Sequence, residues 1–340
     1  MKVDLAVIGQ GAVSPAGIGP DFVKNIKKEP FSVNSFDLNG LAIPIFKIDA
    51  KNPAFNRWVK EPRLRRTSPI TLFMVEAAEQ ALAGISPEDR RETGLVATFS
   101  AGCLAYTHRF FEGIVKGGQK TASPALFPET VFNSPMSHVA AVLGLNGAAY
   151  ALVGDETAWV AALNTATVWL RQERVKQVLI LGAEEFDPLV LDAYRSARWL
   201  RHGFIPSEGA AALLVRRRLP ENESAPLITT ARDGLIYRSK REVSAAAARL
   251  LTGTDPSTPC YPSAEKTCLA PLEKTTLQDR PLIDTSDLPY LGQAFTASTG
   301  WHTLRALAQL TPDRPRLLQP VWGLNHQLGL LELERELTSG

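Results

Sequence analysis

Asp155-Glu156 is the residue pair best placed for chemistry. It sits between an apolar run bounded by glycines, Gly147 to Gly154, and a helical pattern from Ala158 to Glu173. A strand that turns directly into a helix projects the side chains of the turn toward the helix N-terminus, where free N–H groups and the helix dipole favour negative charge. A carboxylate there can cap the helix, or act as a nucleophile. Cys103, in Ser100-Ala101-Gly102-Cys103 after a strand-like run, is another candidate, although burial as a small apolar group is the commoner fate of a lone thiol. Of the five histidines, His108 and His302 fall in helical stretches as packing or surface residues, and His202 and His326 fall in loops. His138, just after Phe132-Asn133-Ser134-Pro135, is a candidate pocket residue. No His, Asp or Glu pair has metal-ligand spacing, so no metal is expected. Gly9-Gln10-Gly11 invites a dinucleotide reading, but Ser14 stands where a third glycine is needed and Asp37 is too far downstream for the ribose contact. No cofactor is expected.

The elements that must position these residues follow from punctuation and period. Val3–Ile8 reads as a strand ending in the glycine loop, and a short helix follows near Asp21–Lys27. Ser68-Pro69 reads as an N-cap with proline at the first helical position, opening a helix to Leu82. Strands are expected at Gly94–Phe99, Ala148–Val153, Gln177–Leu181 and Gly209–Val215. Helices are expected at Leu104–Val115, Pro135–Leu143 and Ala158–Glu173. Residues 219–225 read as a linker. Beyond it come a strand at Leu227–Ala231, helices at Lys240–Leu251 and Ser298–Leu310, and a hairpin of Leu317–Trp322 and Gln327–Leu333. Residues 252–294 show no clear pattern. Alternating strands and helices argue for an α/β fold with a helix-covered sheet. The division is an N-terminal half, 1–218, carrying the elbow, and a smaller C-terminal half, 226–340.

Composition narrows the function classes. The chain has 340 residues, 45% apolar and 21% charged, with 37 Lys+Arg against 35 Asp+Glu. That is ample material for a core, and a net charge of +2 gives no argument for nucleic acid or an acidic membrane. The basic clusters, Arg63, Arg65 and Arg66, and Arg216 to Arg218, read as solvated faces. Three cysteines without a Cys-x-x-Cys suit a reducing compartment. Met1-Lys2-Val3-Asp4-Leu5 opens no signal-peptide core, and Val139–Val153 is too punctuated to insert in a bilayer. A cytoplasmic protein is expected.

Read as Val7-Ile8-Gly9-Gln10-Gly11-Ala12-Val13-Ser14-Pro15-Ala16-Gly17, the opening resembles that of the β-ketoacyl-acyl-carrier-protein synthases. Gly147 to Glu184 is similar to their strand, nucleophile elbow, helix and following strand. Gly203-Phe204-Ile205-Pro206-Ser207-Glu208-Gly209-Ala210 resembles their Gly-Phe-x-x-Gly-Glu-Gly-Ala signature, and Trp322-Gly323-Leu324-Asn325-His326 falls at their C-terminal glycine loop. The resemblance implies a thiolase-like, five-layered αβαβα fold of two related halves, with a dimer formed across Ala149–Val153. It also implies positions for a catalytic Cys-His-His set and a lysine. The cysteine position carries Glu156 and the Gly-His position carries Gln293. The lysine falls on Leu288, no histidine lies between His202 and His302, and Asn325 and His326 replace glycines. No catalytic residue is therefore expected. Cys103, His138, Glu156, Trp159, Gln293, Asn325 and His326 are the candidate lining of a former pocket, with Trp159 filling it.

The function implied is that of a degenerate, chain-length-factor-like subunit in polyketide, aryl polyene or fatty acid type biosynthesis. Its partner would be an active β-ketoacyl synthase, or a second copy of itself, with acyl carrier protein as a further partner. The alternatives are a thiolase-fold adaptor, for example one associated with secretion effectors, and an acyl hydrolase or transferase using Glu156.

Overall fold

The computed structural model describes residues 2–26, 34–38, 40–219, 225–264 and 266–335. The strands are β1 (Lys2–Ser14), β2 (Gly17–Ile18), β3 (Asn34–Leu38), β4 (Leu41–Ile45), β5 (Thr93–Phe99), β6 (Ala149–Val153), β7 (Gln177–Glu184), β8 (Gly209–Arg217), β9 (Leu227–Ile236), β10 (Arg316–Gly323) and β11 (Gln327–Glu334). The helices are α1 (Pro20–Lys24), α2 (Asn56–Lys60), α3 (Pro69–Ala81), α4 (Pro87–Arg91), α5 (Leu104–Gly117), α6 (Ser134–Leu143), α7 (Ala158–Arg171), α8 (Leu189–Ser196), α9 (Lys240–Leu251), α10 (Ala270–Thr276) and α11 (Phe295–Ala308).

The main sheet runs β10-β11-β9-β1-β8-β7-β5-β6. Its N-terminal part, β6-β5-β7-β8-β1, is parallel from β6 to β7, while β8 runs antiparallel to both its neighbours. The C-terminal part repeats this order in reduced form. Antiparallel β10-β11-β9 matches β7-β8-β1. The two missing strands survive as single parallel bridges, Cys260 to Leu318 and Leu282 to Cys260. The antiparallel β1–β9 pair joins the parts.

Helices complete five layers. α3 covers β1, β8 and β7 on one outer side, and α9 covers β9 and β11 on the other. Between the sheet parts lie α7, against β5, β7, β9 and β11, and α11, against β7, β8 and β10. These central helices are apolar on several faces, as burial in a middle layer requires: Trp159, Leu163, Ala166, Trp301 and Leu304 are all buried. The thiolase-like fold implied by the sequence is the fold observed. Residues 220–224 of the linker expectation, and Lys27 of the first helix expectation, lie outside the described residues.

The glycine loop is corrected. Gly9–Gly11 stays inside β1, which bulges between Val7 and Gly9 and continues to Ser14. A Cβ on Gly9 would stand 1.9 Å from the carbonyl oxygen of Ala81, and one on Gly11 1.9 Å from that of Ala77. These glycines let α3 lie directly on the strand, so they are packing residues rather than a phosphate cradle. The obstacle is helix backbone, which cannot swing aside like a side chain. Gly11→Ala should therefore cost about 1–3 kcal/mol or more, read as a lower urea midpoint with an unchanged slope.

Candidate functional site

The site forms where the N-termini of α7 and α11 meet. β6 ends at Val153, and Gly154-Asp155-Glu156-Thr157 turns the chain into α7. Asp155 Oδ1 accepts from Thr157 N (3.0 Å) and Thr157 Oγ1 (2.6 Å), tying off the helix start. Its other oxygen accepts the N–H of Asn325 at 3.1 Å. Glu156 Oε2 accepts the N–H of Leu324 at 3.0 Å, and Thr299 Oγ1 of α11 donates to the Glu156 carbonyl at 3.2 Å. The elbow carboxylates thus clasp the β10–β11 loop. Gly323 permits it, because a Cβ there would lie 2.2 Å from Asp155 Oδ2. His326 takes φ 68°, a conformation that favours glycine, and its ring stacks on Tyr237 at 5.1 Å.

Burial, then the neighbouring Asp155, pushes the Glu156 carboxyl up to about 8, against the lowering effect of the Leu324 N–H. Three more buried carboxylates staple backbone nearby. Glu184 accepts from the N–H groups of Ser100 and Ala101. Glu185 accepts from Ser68 Oγ (2.5 Å), Ala105 N (2.8 Å) and Ile70 N (3.2 Å). Glu208 accepts from Ile48 N (2.8 Å) and Phe186 N (3.1 Å). Burial raises all three, Glu184 to about 8 and Glu185 to about 7.

Beside Glu156 is a cavity of about 10 Å³, lined by Gln293, Ser263, Ala264, Thr267, Ser298, Thr299, His302, Val321 and Trp322. That is about the space of one water and far below the several hundred Å³ of a small-molecule pocket. Tyr194, Trp199, Phe204 and Phe295 form a ring cluster, with centroids 5.3–6.5 Å apart. Tyr194 lies close enough to feel the charges of Glu156 and Glu184. His302, expected on a helix as a surface or packing residue, is buried in this cavity wall, and desolvation lowers it to about 3, so its imidazole is neutral at ordinary pH.

The structure brings Glu156 and Gln293 together at this cavity. Trp159 is wholly buried just behind them, against Gly182 and Gly300. Asn325 and His326 reach the site through the loop backbone, while their side chains are exposed. Three expected positions lie elsewhere. Leu288 is buried in the apolar core. Cys103 precedes α5, bonds the Val131 carbonyl at 3.2 Å, and is pushed by burial up to about 12, which makes it a poor nucleophile. His138 pairs with Glu129 at 2.8 Å.

The sequence reading missed Ser263, Ala264 and Thr267. Buried Glu273 holds their loop by accepting the N–H groups of Ser263 and Ala264, each at 2.9 Å. It also missed Ser298, Thr299 and His302, whose spacing puts them on one face of α11 and was the available signal. Among the described residues, no group of three or more His, Cys, Asp or Glu could hold a metal ion, and no helix is long and apolar enough to cross a membrane.

Comparison with known proteins agrees with this geometry. The family profile "Beta-ketoacyl synthase, N-terminal domain" matches residues 3–220. The chain belongs to the β-ketoacyl synthase family. Among solved structures, this family member is similar to the ishigamide ketosynthase/chain length factor, with 18% identity, 98% of this chain and 99% of that one covered, and a TM-score of 0.82. It is also similar to a type II polyketide acyl-carrier protein in complex with its ketosynthase bound to the hexaketide (15% identity, 99% and 100% covered, TM-score 0.76). A β-ketoacyl synthase from Burkholderia phymatum STM815 gives 14% identity, 99% and 100% covered, and a TM-score of 0.77. At these identities the likeness is one of fold. A search of curated proteins returns no match. At the turn from β6 into α7 the chain carries a carboxyl group engaged in holding the β10–β11 loop.

Proposed function

We propose that this β-ketoacyl synthase homologue is a non-condensing, chain-length-factor-like subunit that pairs with an active ketosynthase. The observation that carries the reading is the elbow: Glu156 stands at the nucleophile position, bonded to Leu324 N at 3.0 Å, over a cavity of about 10 Å³. An acyl chain has no room there. The surface supports pairing. β6 is an edge strand whose Tyr150 and Val153 are exposed, and α5 has no buried residue despite its apolar face. Phe111, Val115, Phe127, Val131 and Phe132 extend that apolar surface. An edge strand with unpaired N–H and C=O groups and apolar flanks is suited to continuing its sheet into a partner.

Native mass spectrometry of the chain, alone and co-expressed with a ketosynthase from its gene neighbourhood, tests the proposal. A one-to-one heterodimer is expected. Val153→Asp should weaken it at least tenfold, since it buries a charge at the centre of the interface. Condensation should depend on the partner's thiol alone, with acyl carrier protein delivering substrate to that partner. A homodimer with condensing activity of its own would overturn the reading, and one that ignores the ketosynthase would favour an adaptor.

A further inference from the structure

At the pole of the fold opposite the elbow, the arginines that read as a solvated face line a cavity. It measures about 510 Å³ and is lined by Lys2, Val3, Asp4, Leu5, Thr167, Leu170, Arg171, Arg217 and Arg218. Four of those side chains are cationic and one is acidic, in a chain whose overall charge is only +2. The volume lies within the range of small-molecule sites. A neighbouring cavity of about 640 Å³ shares Leu170 and Arg217 and adds Arg91, Arg174, Lys176 and Arg216, along with Asp89, Glu92 and Glu173.

The cavity is built from fixed elements. Arg171 ends α7 and donates to the Lys2 carbonyl at 2.6 Å, so its guanidinium is anchored at the wall. Arg217 is the last residue of β8, and Arg218 N donates to the Asp4 carbonyl at 3.2 Å. Asp4 has φ 51°, and the β1–β9 register slips between Lys2 and Leu5. The ladder is thus interrupted beside the cavity, which widens it between strand ends. β8 and β1 lie three and four strands in from edge strand β6, about 14–19 Å, so pairing through β6 leaves this cavity open. The other end of α7 is the elbow, about 20 Å away.

The geometry points to an anion site for a phosphate-dense ligand with a non-aromatic body, such as a diphosphate ester. The guanidinium groups of Arg171 at the end of α7, and of Arg217 and Arg218 at the end of β8, suit phosphate oxygens in paired hydrogen bonds, and Lys2 of β1 adds a fourth cation. Among the described residues the wall has no aromatic side chain, so it offers a nucleobase nothing to stack on. Asp4 can accept from a ligand hydroxyl and disfavours a closely packed polyanion.

Calorimetric titration of the full chain with inorganic pyrophosphate tests this. Binding is expected at 50 mM NaCl, weakening at 300 mM as the charges are screened. Arg171→Gln with Arg218→Gln should weaken it at least tenfold. Arg63→Gln with Arg65→Gln, at the other basic cluster, should leave it unchanged, and thermal midpoints check that both pairs fold. A parallel arm with phosphatidylglycerol vesicles identifies the source of the phosphate: loss in the same Arg171/Arg218 pair assigns a lipid headgroup, and no vesicle binding assigns a soluble ester. The site is refuted by no pyrophosphate binding, by equal loss in both pairs, or by poly-glutamate binding in preference to pyrophosphate, which would indicate an acidic protein instead.

Discussion

Trp159→Ala should cost about 3–5 kcal/mol, as deletion of a fully buried aromatic side chain does. Trp159 is wholly buried at the junction of α7, β7 and α11. Its ring fills the gap left by two glycines: a Cβ on Gly182 or on Gly300 would come within 3.1 Å of it. The surroundings are strand and helix backbone in the middle layer, so collapse into the vacated space is limited, and the cost belongs at the upper end of the range. At about 2–4 °C per kcal/mol for a chain somewhat smaller than this one, the thermal midpoint should fall by about 10 °C. Trp159→Phe should be much milder. Among the described residues the indole N–H has no hydrogen-bond partner, so phenylalanine sacrifices area but relieves a buried donor. A cost below about 1 kcal/mol would mean that the ring is not the packing element its burial makes it. Small apolar ligands such as benzene, which enter dry engineered cavities, should partly rescue the alanine variant and have no effect on the wild type.

What was legible in the sequence had a local cause. Pro69 after Ser68, the glycines flanking Ala149–Val153, and the apolar period of α7 and α11 each specify an element with neighbours close in the chain. The hairpin of β10 and β11 was legible for the same reason. Glu156 and Gln293 could be placed because short motifs fix each at the start of a central helix. Residues 252–294 were opaque because their helix α10 is only seven residues long and much of their remaining order is made at a distance: Cys260 pairs with Leu282 and Leu318, Glu273 holds the 263–264 backbone, and Arg305 of α11 fixes Asp287 at 2.6 Å. None of these leaves a period. Gly9 and Gly11 misled in a different way. Glycine marks a turn in most sequences, whereas here it marks the closest approach of a helix to a strand.

The buried carboxylates were the least legible part of the site. Composition counts Glu184, Glu185 and Glu208 as surface charge, yet each is buried and accepts backbone N–H groups from a different loop. Together with the Asp155-Glu156 clasp, they hold in register the loops at the elbow end of the strands. That scaffold surrounds a cavity the size of one water.

Those same carboxylates make stability fall with rising pH. Glu156, Glu184 and Glu185 are raised by burial to about 8, 8 and 7, above the ordinary glutamate value. A group that holds its proton more tightly when folded stabilises fully below its unfolded pKa, and that contribution is lost as pH climbs through the folded one. His302 works in the opposite sense. Lowered to about 3, it favours folding only where the unfolded imidazole is also neutral, so it opposes the carboxylates below about pH 6.5. The loss therefore runs from about pH 4.5 to 8 and is steepest between about pH 6.5 and 7, where all three carboxylates contribute and His302 no longer opposes them. Glu156→Gln keeps an oxygen for the Leu324 N–H and removes the charge that would face Asp155. The variant should match the wild type near pH 5 and exceed it by a few kcal/mol at pH 8.5, with the slope of stability against pH reduced by about 1.4 kcal/mol per pH unit in that window. Urea unfolding across pH 5–8.5 measures both quantities. Equal slopes in the two proteins would mean that Glu156 is already ionised in the folded state, and that the clasp on Leu324 is an ion–amide bond rather than a neutral one.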